Sequence, residues 1–465
     1  MTASRRSFLK KTAAATAGVS VIPYIWTSNA SGAIRDDDLK IAAIGVGGSR
    51  GRHSRGGGIA RDASKFGKMI AVCDVDSLHT AEFNADKRFE GKLTEYVDYR
   101  EMIDKEKPDV VTIGTNDHWH VPIADYALRA GCDVYCEKPL TLTIDEGKHI
   151  CKLVKETGKV FQVGTQQRSR RDKFLMAVAM VQGGYLGDNV NVNLAIGGAP
   201  GEGPFKETSI PEKFDWDFWV GPAQAAEYSL ERRKFFRWYM EYSGGKMTDW
   251  GAHHIDIAQW ALGLDQTAPV SASGTGKFGK VVPEGFNWVD FFNGKAELEN
   301  GYNAATQFDV DLKFANGATI NVNHHYKSED EKTDFGNGIL FTGSKGRIFV
   351  NRQKMSGKPF EELTDDDKKN LKEAMAKLYK GKPFSGHMGN FFDCIKDRSD
   401  PISDVYSHHR TMTSCHMCNI ALMCGEPLTF DPNKEVFVDN EMANGLCSRP
   451  SRVTYLGKVE QPVKS

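Results

Sequence analysis

The chain has 465 residues, and its 60 basic and 61 acidic side chains give a formal net charge of -1. This balance argues against a nucleic-acid partner or an anionic membrane surface, since either normally requires a basic excess or patch. Hydrophobic residues make up 40% of the chain and charged residues 26%, as in soluble globular proteins. After the first thirty residues no apolar run is long enough to span a bilayer. Since one hydrophobic core rarely grows to this size, we predict two domains.

Residues 1–33 have the pattern of a twin-arginine export signal. The run Ser4-Arg5-Arg6-Ser7-Phe8-Leu9-Lys10 precedes a weakly apolar, alanine-rich stretch over 12–26, and cleavage is possible after Ala30 or Ala33. Paired arginines followed by an apolar pair favour this signal over an ordinary secretory signal or an N-terminal anchor. Because that pathway carries folded proteins, we expect a periplasmic or otherwise exported protein whose cofactor is already bound.

Residues 34–164 alternate short β-rich runs with helical segments, among them 121–129 and 144–156. Continuous apolar strands that alternate with helices predict a parallel sheet covered on both faces. The predicted strands are 40–45, 69–74, 94–97, 109–114, 133–136 and 160–163.

A glycine-rich turn follows the first of these strands, in the run Gly45-Val46-Gly47-Gly48-Ser49-Arg50-Gly51. Glycines at this turn let the backbone approach a pyrophosphate at a helix N-terminus. The third glycine of the G-x-G-x-x-G pattern is replaced by Arg50. Asp74 ends the next strand, where it can accept the ribose hydroxyls, and Asp76 follows. We therefore predict a Rossmann domain that binds NAD, and NADP less well, because a 2′-phosphate would meet negative charge.

Residues 165–465 have a different pattern and are predicted to form a substrate-binding and oligomerisation domain with C-terminal helices. The predicted helices are 172–183, 246–263, 361–379 and a region within 387–424, and the predicted strands are 270–278, 302–314, 319–326 and 338–341. Long alternating strands joined by turns such as Ala315-Asn316-Gly317-Ala318 indicate an open, largely antiparallel sheet. The predicted fold class is α/β, with an N-terminal Rossmann domain and a C-terminal α+β domain.

Two motifs at the carboxyl ends of neighbouring strands give the chain a family resemblance. They are Thr115-Asn116-Asp117-His118-Trp119-His120 after the fourth strand and Cys136-Glu137-Lys138-Pro139-Leu140 after the fifth. They resemble the glucose–fructose oxidoreductase/inositol dehydrogenase (Gfo/Idh/MocA) family, and the resemblance continues through 162–168 and 245–256. The stretch 430–444 is similar to exported members that act in carbohydrate breakdown.

This resemblance implies an NAD-dependent oxidoreductase that acts on a secondary alcohol of a sugar, polyol or glycoside. It also implies a carbohydrate substrate and a homodimer or homotetramer that pairs through the open sheet. The export signal adds the expectation that the cofactor is tightly bound, because it must be loaded before export and held through turnover. Exported members include NAD-dependent glycosidases that oxidise a sugar transiently, eliminate the glycosidic substituent and return the hydride. That activity is one alternative, and a non-catalytic periplasmic sugar-binding protein is another.

The resemblance also assigns catalytic roles to Lys138, Asp249 and His253. Lys138 would bind the reacting hydroxyl beside the nicotinamide, His253 has a suitable pKa for a base, and Asp249 would orient the imidazole or bind a substrate hydroxyl. Helical spacing places Asp249, His253, Asp256 and Trp260 within an arc of about 80°, with an apolar face opposite. The predicted cofactor contacts are Gly45, Gly47, Gly48, Asp74, Thr115, Asn116, His120, Glu137 and Lys138.

Other polar residues leave alternatives open. Arg168 and His254 are predicted to bind substrate, although a surface salt bridge explains Arg168 equally well. His254 with Asp249, His253 and Asp256 suggests a divalent-metal site, but His254 is rotated by about 100° from His253, so we predict no metal. The Cys415-x-x-Cys418 pair is interpreted as two small buried residues, because no second pair follows at ligand spacing.

Overall fold

A computed structural model describes residues 39–329 and 331–452 of the chain. The predicted export signal over 1–33 lies outside the described residues. None of the described helices is long and apolar enough to cross a membrane.

The N-terminal part contains a six-stranded parallel sheet in the order β3-β2-β1-β4-β5-β6, as a Rossmann domain requires. The strands are β1 (Lys40–Ile44), β2 (Lys68–Cys73), β3 (Thr94–Tyr96), β4 (Val110–Ile113), β5 (Asp133–Cys136) and β6 (Phe161–Val163). The helices are α1 (Arg55–Ala63), α2 (Ser77–Asn84), α3 (Tyr99–Glu106), α4 (His120–Arg129) and α5 (Ile144–Thr157). The predicted parallel sheet is confirmed, and its strands begin and end within one or two residues of the predicted positions.

Both faces of this sheet are covered, which explains the continuous apolar strands. Side chains of β1 alternate between two buried clusters: Ala42 and Ile44 join one, and Ile41 and Ala43 join the other. The order of the strands reverses between β1 and β4, so the crevice for a ligand opens at their carboxyl ends.

The C-terminal part is built on a nine-stranded sheet in the order β15-β14-β13-β7-β10-β9-β8-β16-β17, beside a two-stranded ribbon of β11 and β12. Neighbouring strands are antiparallel except β7 and β10, which pair in parallel. The strands are β7 (Asn191–Ala195), β8 (Ser271–Lys277), β9 (Gln307–Lys313), β10 (Thr319–Asn323), β11 (Tyr326–Lys327), β12 (Asp334–Phe335), β13 (Gly338–Gly343), β14 (Gly346–Val350), β15 (Met355–Ser356), β16 (Leu428–Asp431) and β17 (Val436–Phe437).

The helices of the C-terminal part are α6 (Met176–Gln182), α7 (Trp216–Val220), α8 (Leu230–Lys234), α9 (Gly245–Asp249), α10 (Gly251–Ala261), α11 (Trp288–Phe292), α12 (Lys358–Glu361), α13 (Asp365–Leu378), α14 (Gly386–Asp397), α15 (Val405–Cys424) and α16 (Glu441–Gly445). Of these, α10 and α15 pack against one face of the nine-stranded sheet, whereas α14 contacts α1 and buries its apolar side chains with the first domain. In β9, Phe308, Val310 and Leu312 are buried while the alternate residues are exposed, so the other face is polar. The Asn316-Gly317 hairpin is confirmed: Gly317 has φ 88° and joins β9 to β10.

The predicted helix over 246–263 is interrupted at Trp250 and forms α9 and α10. Every residue of α10 is buried, because the helix lies between α15, α6 and the sheet. We predicted that this helix presents a polar face to a cleft and an apolar face to the core. The prediction is wrong for the residues after His253, which do not reach the cleft. The helix has no solvent side.

Candidate active site

Two adjoining cavities open at the carboxyl ends of β1, β4 and β5. The narrower has an empty volume of about 980 Å³, and the wider, which faces the second domain, about 2080 Å³. Predicted residues that line the narrower cavity are Gly45, Gly47, Asp74, Thr115 and Asn116. Those that line the wider one are Thr115, His120, Glu137, Lys138, Asp249 and His253.

The backbone at the glycine turn is shaped to admit a ligand. Gly45 and Gly47 have φ of 75° and 63°, which disfavours any residue with a side chain. A Cβ atom at Gly45 would lie 2.7 Å from the Thr115 backbone, and one at Gly47 would lie 2.7 Å from the His53 carbonyl oxygen. The turn leads into α1, whose N-terminus can face a pyrophosphate.

Asp74 lies at the end of β2 beside this turn. Its Oδ2 accepts a hydrogen bond from the Gly47 N–H at 3.0 Å, and its Oδ1 accepts one from the Asp76 N–H at 3.0 Å. The nearby Arg50 donates to the Glu212 carbonyl at 2.7 Å and lies 3.6 Å from Asp76, so acidic and carbonyl oxygens already surround it. The glycine cradle and the acidic strand end fit NAD, because the Asp74 carboxylate can accept ribose hydroxyls and, with Asp76, would repel a 2′-phosphate.

The two motif loops are linked by buried polar contacts. The His120 ring lies between the carbonyl oxygens of Pro139, 2.7 Å from Nδ1, and Thr115, 3.3 Å from Nε2. Burial lowers the pKa of His120 to about 4, so the ring is neutral. His120 therefore fixes the loop after β4 against the loop after β5.

Glu137 joins the second motif to the mouth of the cleft. Its Oε1 accepts hydrogen bonds from Arg55 Nε and Gln166 Nε2, each at 2.9 Å. Since the carboxylate is only 6% exposed, it holds the Arg55 guanidinium where it lines both cavities.

Lys138 and Asp249 form an ion pair across the two domains. Lys138 Nζ donates to Asp249 Oδ1 at 2.6 Å and to the Asp249 carbonyl oxygen at 2.8 Å, and the Lys138-Pro139 peptide is cis. Arg237 Nε lies 3.4 Å from the same carboxylate oxygen. Burial alone would raise the pKa of Asp249, but Lys138 and Arg237 hold it well below its usual range. The carboxylate is thus charged and fixes the ammonium group in the cleft.

His253 lies one turn after Asp249 and lines the same cleft. Among the described residues no group forms a hydrogen bond with either ring nitrogen, and Nδ1 is fully enclosed. Burial, with the charges of Lys138 and Arg352, lowers the pKa of His253 well below its ordinary value. The imidazole is therefore neutral and able to accept a proton.

Several residues that line the cleft had no predicted role. Asp117 lies inside the first motif, accepts a hydrogen bond from Ser243 Oγ at 2.5 Å, and its pKa is raised by burial to about 6. Arg237, Lys246 and Arg352 also line the cleft. Arg237 lies in a short 3₁₀ turn and Arg352 in the loop after β14, and neither position carries a periodic or motif signal.

Arg168 is placed differently from its prediction as a substrate-binding residue. Its side chain is 3% exposed, and Nε and Nη2 donate to the Asp256 carboxylate at 2.6 to 3.0 Å. The guanidinium also lies 4.8 Å from the centre of the Trp260 ring. Arg168 and Asp256 therefore form a core ion pair and do not reach the cleft.

His254 and Gly48 also lie outside the two cavities. His254 is fully buried, and its Nε2 lies 3.2 Å from Asn337 Oδ1. A Cβ at Gly48 would meet Glu82 and His79 rather than a ligand. Neither residue takes its predicted place, because His254 is on the inner side of α10 and Gly48 faces α2.

No group of three histidine, cysteine or acidic side chains in residues 39–329 and 331–452 is placed to hold a metal ion. Asp256 is engaged by Arg168 and His254 by Asn337. Cys415 and Cys418 are buried thiols in α15, and burial raises the pKa of each.

Comparisons with known proteins agree with this geometry. An oxidoreductase family with an NAD-binding Rossmann fold matches residues 39–165, and the C-terminal α/β domain of the same family matches 198–277 and 302–456. The D-glucoside 3-dehydrogenase of Escherichia coli is 24% identical over 330 residues, 68% of this chain and 81% of that protein. The inositol 2-dehydrogenase of Salmonella typhimurium is 27% identical over 156 residues, 33% of this chain and 45% of that protein.

Two further matches extend the comparison. A glycosyl hydrolase family 109 protein of Shewanella sp. (strain ANA-3) is 28% identical over 207 residues, 40% of this chain and 44% of that protein. The WlbA dehydrogenase of Bordetella pertussis, crystallised with NADH and UDP-GlcNAcA, has the same fold, with a TM-score of 0.59 at 16% identity. That alignment covers 86% of this chain and 99% of WlbA. Because the family match spans both domains, the chain belongs to the Gfo/Idh/MocA family of NAD-binding oxidoreductases.

Proposed function

We propose that this protein oxidises a secondary alcohol of a sugar, polyol or glycoside with NAD. The observation that carries the proposal is the cluster of Lys138, Asp249 and His253 on the wall of a cleft that adjoins the dinucleotide cradle. The glucoside and inositol dehydrogenases among the relatives support a carbohydrate substrate.

Each of these residues has a distinct part in the reaction. Bound NAD supplies the acceptor for the hydride that leaves the carbinol carbon. His253 takes the hydroxyl proton through Nε2, because Nδ1 is enclosed. Lys138 stabilises the negative charge that develops on the substrate oxygen. Asp249 is a positioning residue, since its two contacts fix Lys138 Nζ.

Asp117 favours a second candidate, the NAD-dependent glycosidase. Elimination of a glycosidic substituent needs a group that can exchange a proton near neutral pH, in addition to the base for oxidation. Asp117 lines the cleft, and its pKa of about 6 suits that role. The matched glycosyl hydrolase family 109 protein supports this alternative.

We further propose that the protein is exported with NAD bound and assembles as a homodimer or homotetramer. The run Arg5-Arg6-Ser7-Phe8-Leu9-Lys10 motivates the first proposal, and the exposed polar face of the nine-stranded sheet motivates the second. Replacing both Arg5 and Arg6 with lysine should leave NAD-loaded protein in the cytoplasm. Light scattering should give a dimer or tetramer, and a monomer at micromolar concentration would refute the assembly.

The test of function is product analysis with loaded enzyme. Methyl and nitrophenyl glycosides are incubated with the purified protein, and the products are identified by mass spectrometry with and without an added electron acceptor. A keto-sugar supports the oxidoreductase, whereas release of the aglycone without an acceptor supports the glycosidase. If the protein binds a sugar but forms neither product, the result supports the non-catalytic sugar-binding protein.

A further inference from the structure

The cleft is strongly cationic, although the whole chain is nearly neutral. Eight arginine and lysine side chains line it, against three carboxylates, Asp117, Glu137 and Asp249. The eight cations are Arg52, Arg55, Lys138, Arg170, Lys234, Arg237, Lys246 and Arg352. Since the chain carries a formal charge of -1, the excess is local to this surface.

Half of these cations have carboxylate partners. Lys138 and Arg237 contact Asp249, Arg55 contacts Glu137, and Arg170 lies 3.7 Å from Asp172. Within the described ranges, the other half have no carboxylate oxygen within 4.0 Å. These are Arg52, Lys234, Lys246 and Arg352.

The unpaired cations fall into two groups by position. Arg52 and Lys234 also line the narrower cavity, so the NAD pyrophosphate can neutralise them. Lys246 and Arg352 line the wider cleft but not the narrower cavity. The carboxylate whose charge acts on both of them is Asp249, which Lys138 and Arg237 already engage, so it neutralises these two cations only in part.

Lys246 and Arg352 flank the proposed catalytic cluster and are held on aromatic rings. Lys246 precedes Asp249 by three residues in α9, and its Nζ lies 5.3 Å from the centre of the Trp238 ring. The Arg352 guanidinium lies 4.5 Å from the centre of the Trp250 ring, next to Asp249. Ring contacts fix both side chains. Arg352 Nε also donates to the Gln167 side-chain oxygen at 3.3 Å, which leaves the two terminal guanidinium nitrogens and the Lys246 ammonium group to bind an anion.

An unpaired cation in a partly buried site is unfavourable unless a ligand neutralises it. Burial accordingly lowers the pKa of both Lys246 and Arg352. Neutral hydroxyls need no such charge, whereas carboxylate, sulfate and phosphate groups bind ammonium and guanidinium groups strongly.

We infer that the substrate is an anionic saccharide, whose carboxylate, sulfate or phosphate groups contact Lys246, Arg352 or both beside the carbon that is oxidised. This inference rests on the proposed function for the location of the reacting carbon. Carboxylate, sulfate and phosphate have the same chemistry here, since each is a negatively charged oxyanion substituent on a sugar ring.

The experiment compares matched neutral and anionic sugars on the NAD-loaded protein. The pairs are methyl glucoside with methyl glucuronide, methyl galactoside with methyl galacturonide, and glucose with its 6-sulfate and 6-phosphate. Binding is measured by calorimetric titration and turnover by formation of reduced NAD. We expect the anionic member of at least one pair to be preferred by about tenfold or more, and the preference to fall as salt is added.

Variants link that preference to the two cations. At least one of K246Q and R352Q should reduce the ratio of anionic to neutral binding by about tenfold. Matched controls are K354Q, a lysine 5.6 Å from the centre of the Phe349 ring, and R347Q, because neither residue lines the cleft. Both controls should leave the ratio unchanged.

Equal or weaker binding of the anionic member in every pair would overturn the inference, as would an unchanged ratio in both cleft variants. If neutral sugars are then oxidised, the proposed function stands without the anionic specificity. If anionic sugars bind in preference but nothing is oxidised, the inference stands and the proposed function fails.

Discussion

The dinucleotide cradle and the substrate cleft differ in how they are built. Backbone conformation forms much of the cradle: Gly45 and Gly47 are at a strand end, with Asp74 on the neighbouring strand. Side chains from distant segments form the cleft, among them Lys138, Arg237 and Arg352. A backbone-built site can be located from a local motif, whereas a side-chain-built site depends on how the two domains pack.

Removing Arg168 should damage stability rather than substrate recognition. R168A leaves Asp256 charged and buried, which should lower the free energy of unfolding by about 3–5 kcal/mol. Denaturant unfolding measures the loss. K65A is the control, because it breaks an exposed pair with Asp62 and should cost at most about 1 kcal/mol. If R168A has wild-type stability but no longer binds sugar, Arg168 is a substrate-binding residue.

Removing Lys138 should abolish turnover while the cradle still binds NAD. K138A should reduce kcat by about 10²-fold or more, because it deletes a group that stabilises the reacting oxygen. Cofactor content and melting temperature are measured alongside the rate and should change little, because Arg237 still contacts the Asp249 carboxylate. If the activity of K138A is within a few-fold of wild type, Lys138 does not take part in the reaction.

A methyl group in the cradle should expel the cofactor. G45A adds strain at φ 75° and a contact with Thr115, so NAD content should fall by about tenfold. G91A is the matched control, since Gly91 has φ 72° but nothing lies within 4 Å of its Cβ position. Both variants should lose some stability, and only G45A should lose NAD. Equal NAD content in the two would show that backbone shape does not define this site.

The pH dependence should reflect the neutral state of His253. Its lowered pKa means that the base is already unprotonated at pH 6, so kcat/KM should show no acidic limb at the ordinary histidine pKa of about 6.5. The limb should appear at lower pH. A limb near pH 6.5 that vanishes in H253A would contradict the burial of this imidazole.

The sequence predicted the first domain well because its signals are local. Apolar strands, the glycine turn and Asp74 each depend on neighbours in one β-α-β unit, and the structure places them as predicted. The β9–β10 hairpin was predictable for the same reason, from Asn316-Gly317. By contrast β7, which pairs with β10 and β13 at the centre of the second sheet, was not predicted. Its short run over 191–195 depends on partners far along the chain.

The cleft was only partly predictable for a related reason. Lys138, Asp249 and His253 came from the family resemblance, and the structure brings them together. Two arginines show what the sequence could not predict. Arg168 forms an ion pair with the buried Asp256, whereas Arg352 has no carboxylate partner in the described ranges and lines the cleft. Sequence alone does not say which charged residues find partners. That is decided by tertiary packing.

Bound NAD and the cluster of Lys138, Asp249 and His253 should act as one oxidising site for a sugar. The most direct measurement is a mass spectrum of the small molecules released when the purified protein is denatured, before and after incubation with the glycosides. We expect near-stoichiometric NAD, converted in part to its reduced form by a sugar in wild type but not in K138A. Protein that releases no dinucleotide would exclude such a site, and protein that releases mainly NADP would overturn the predicted preference for NAD.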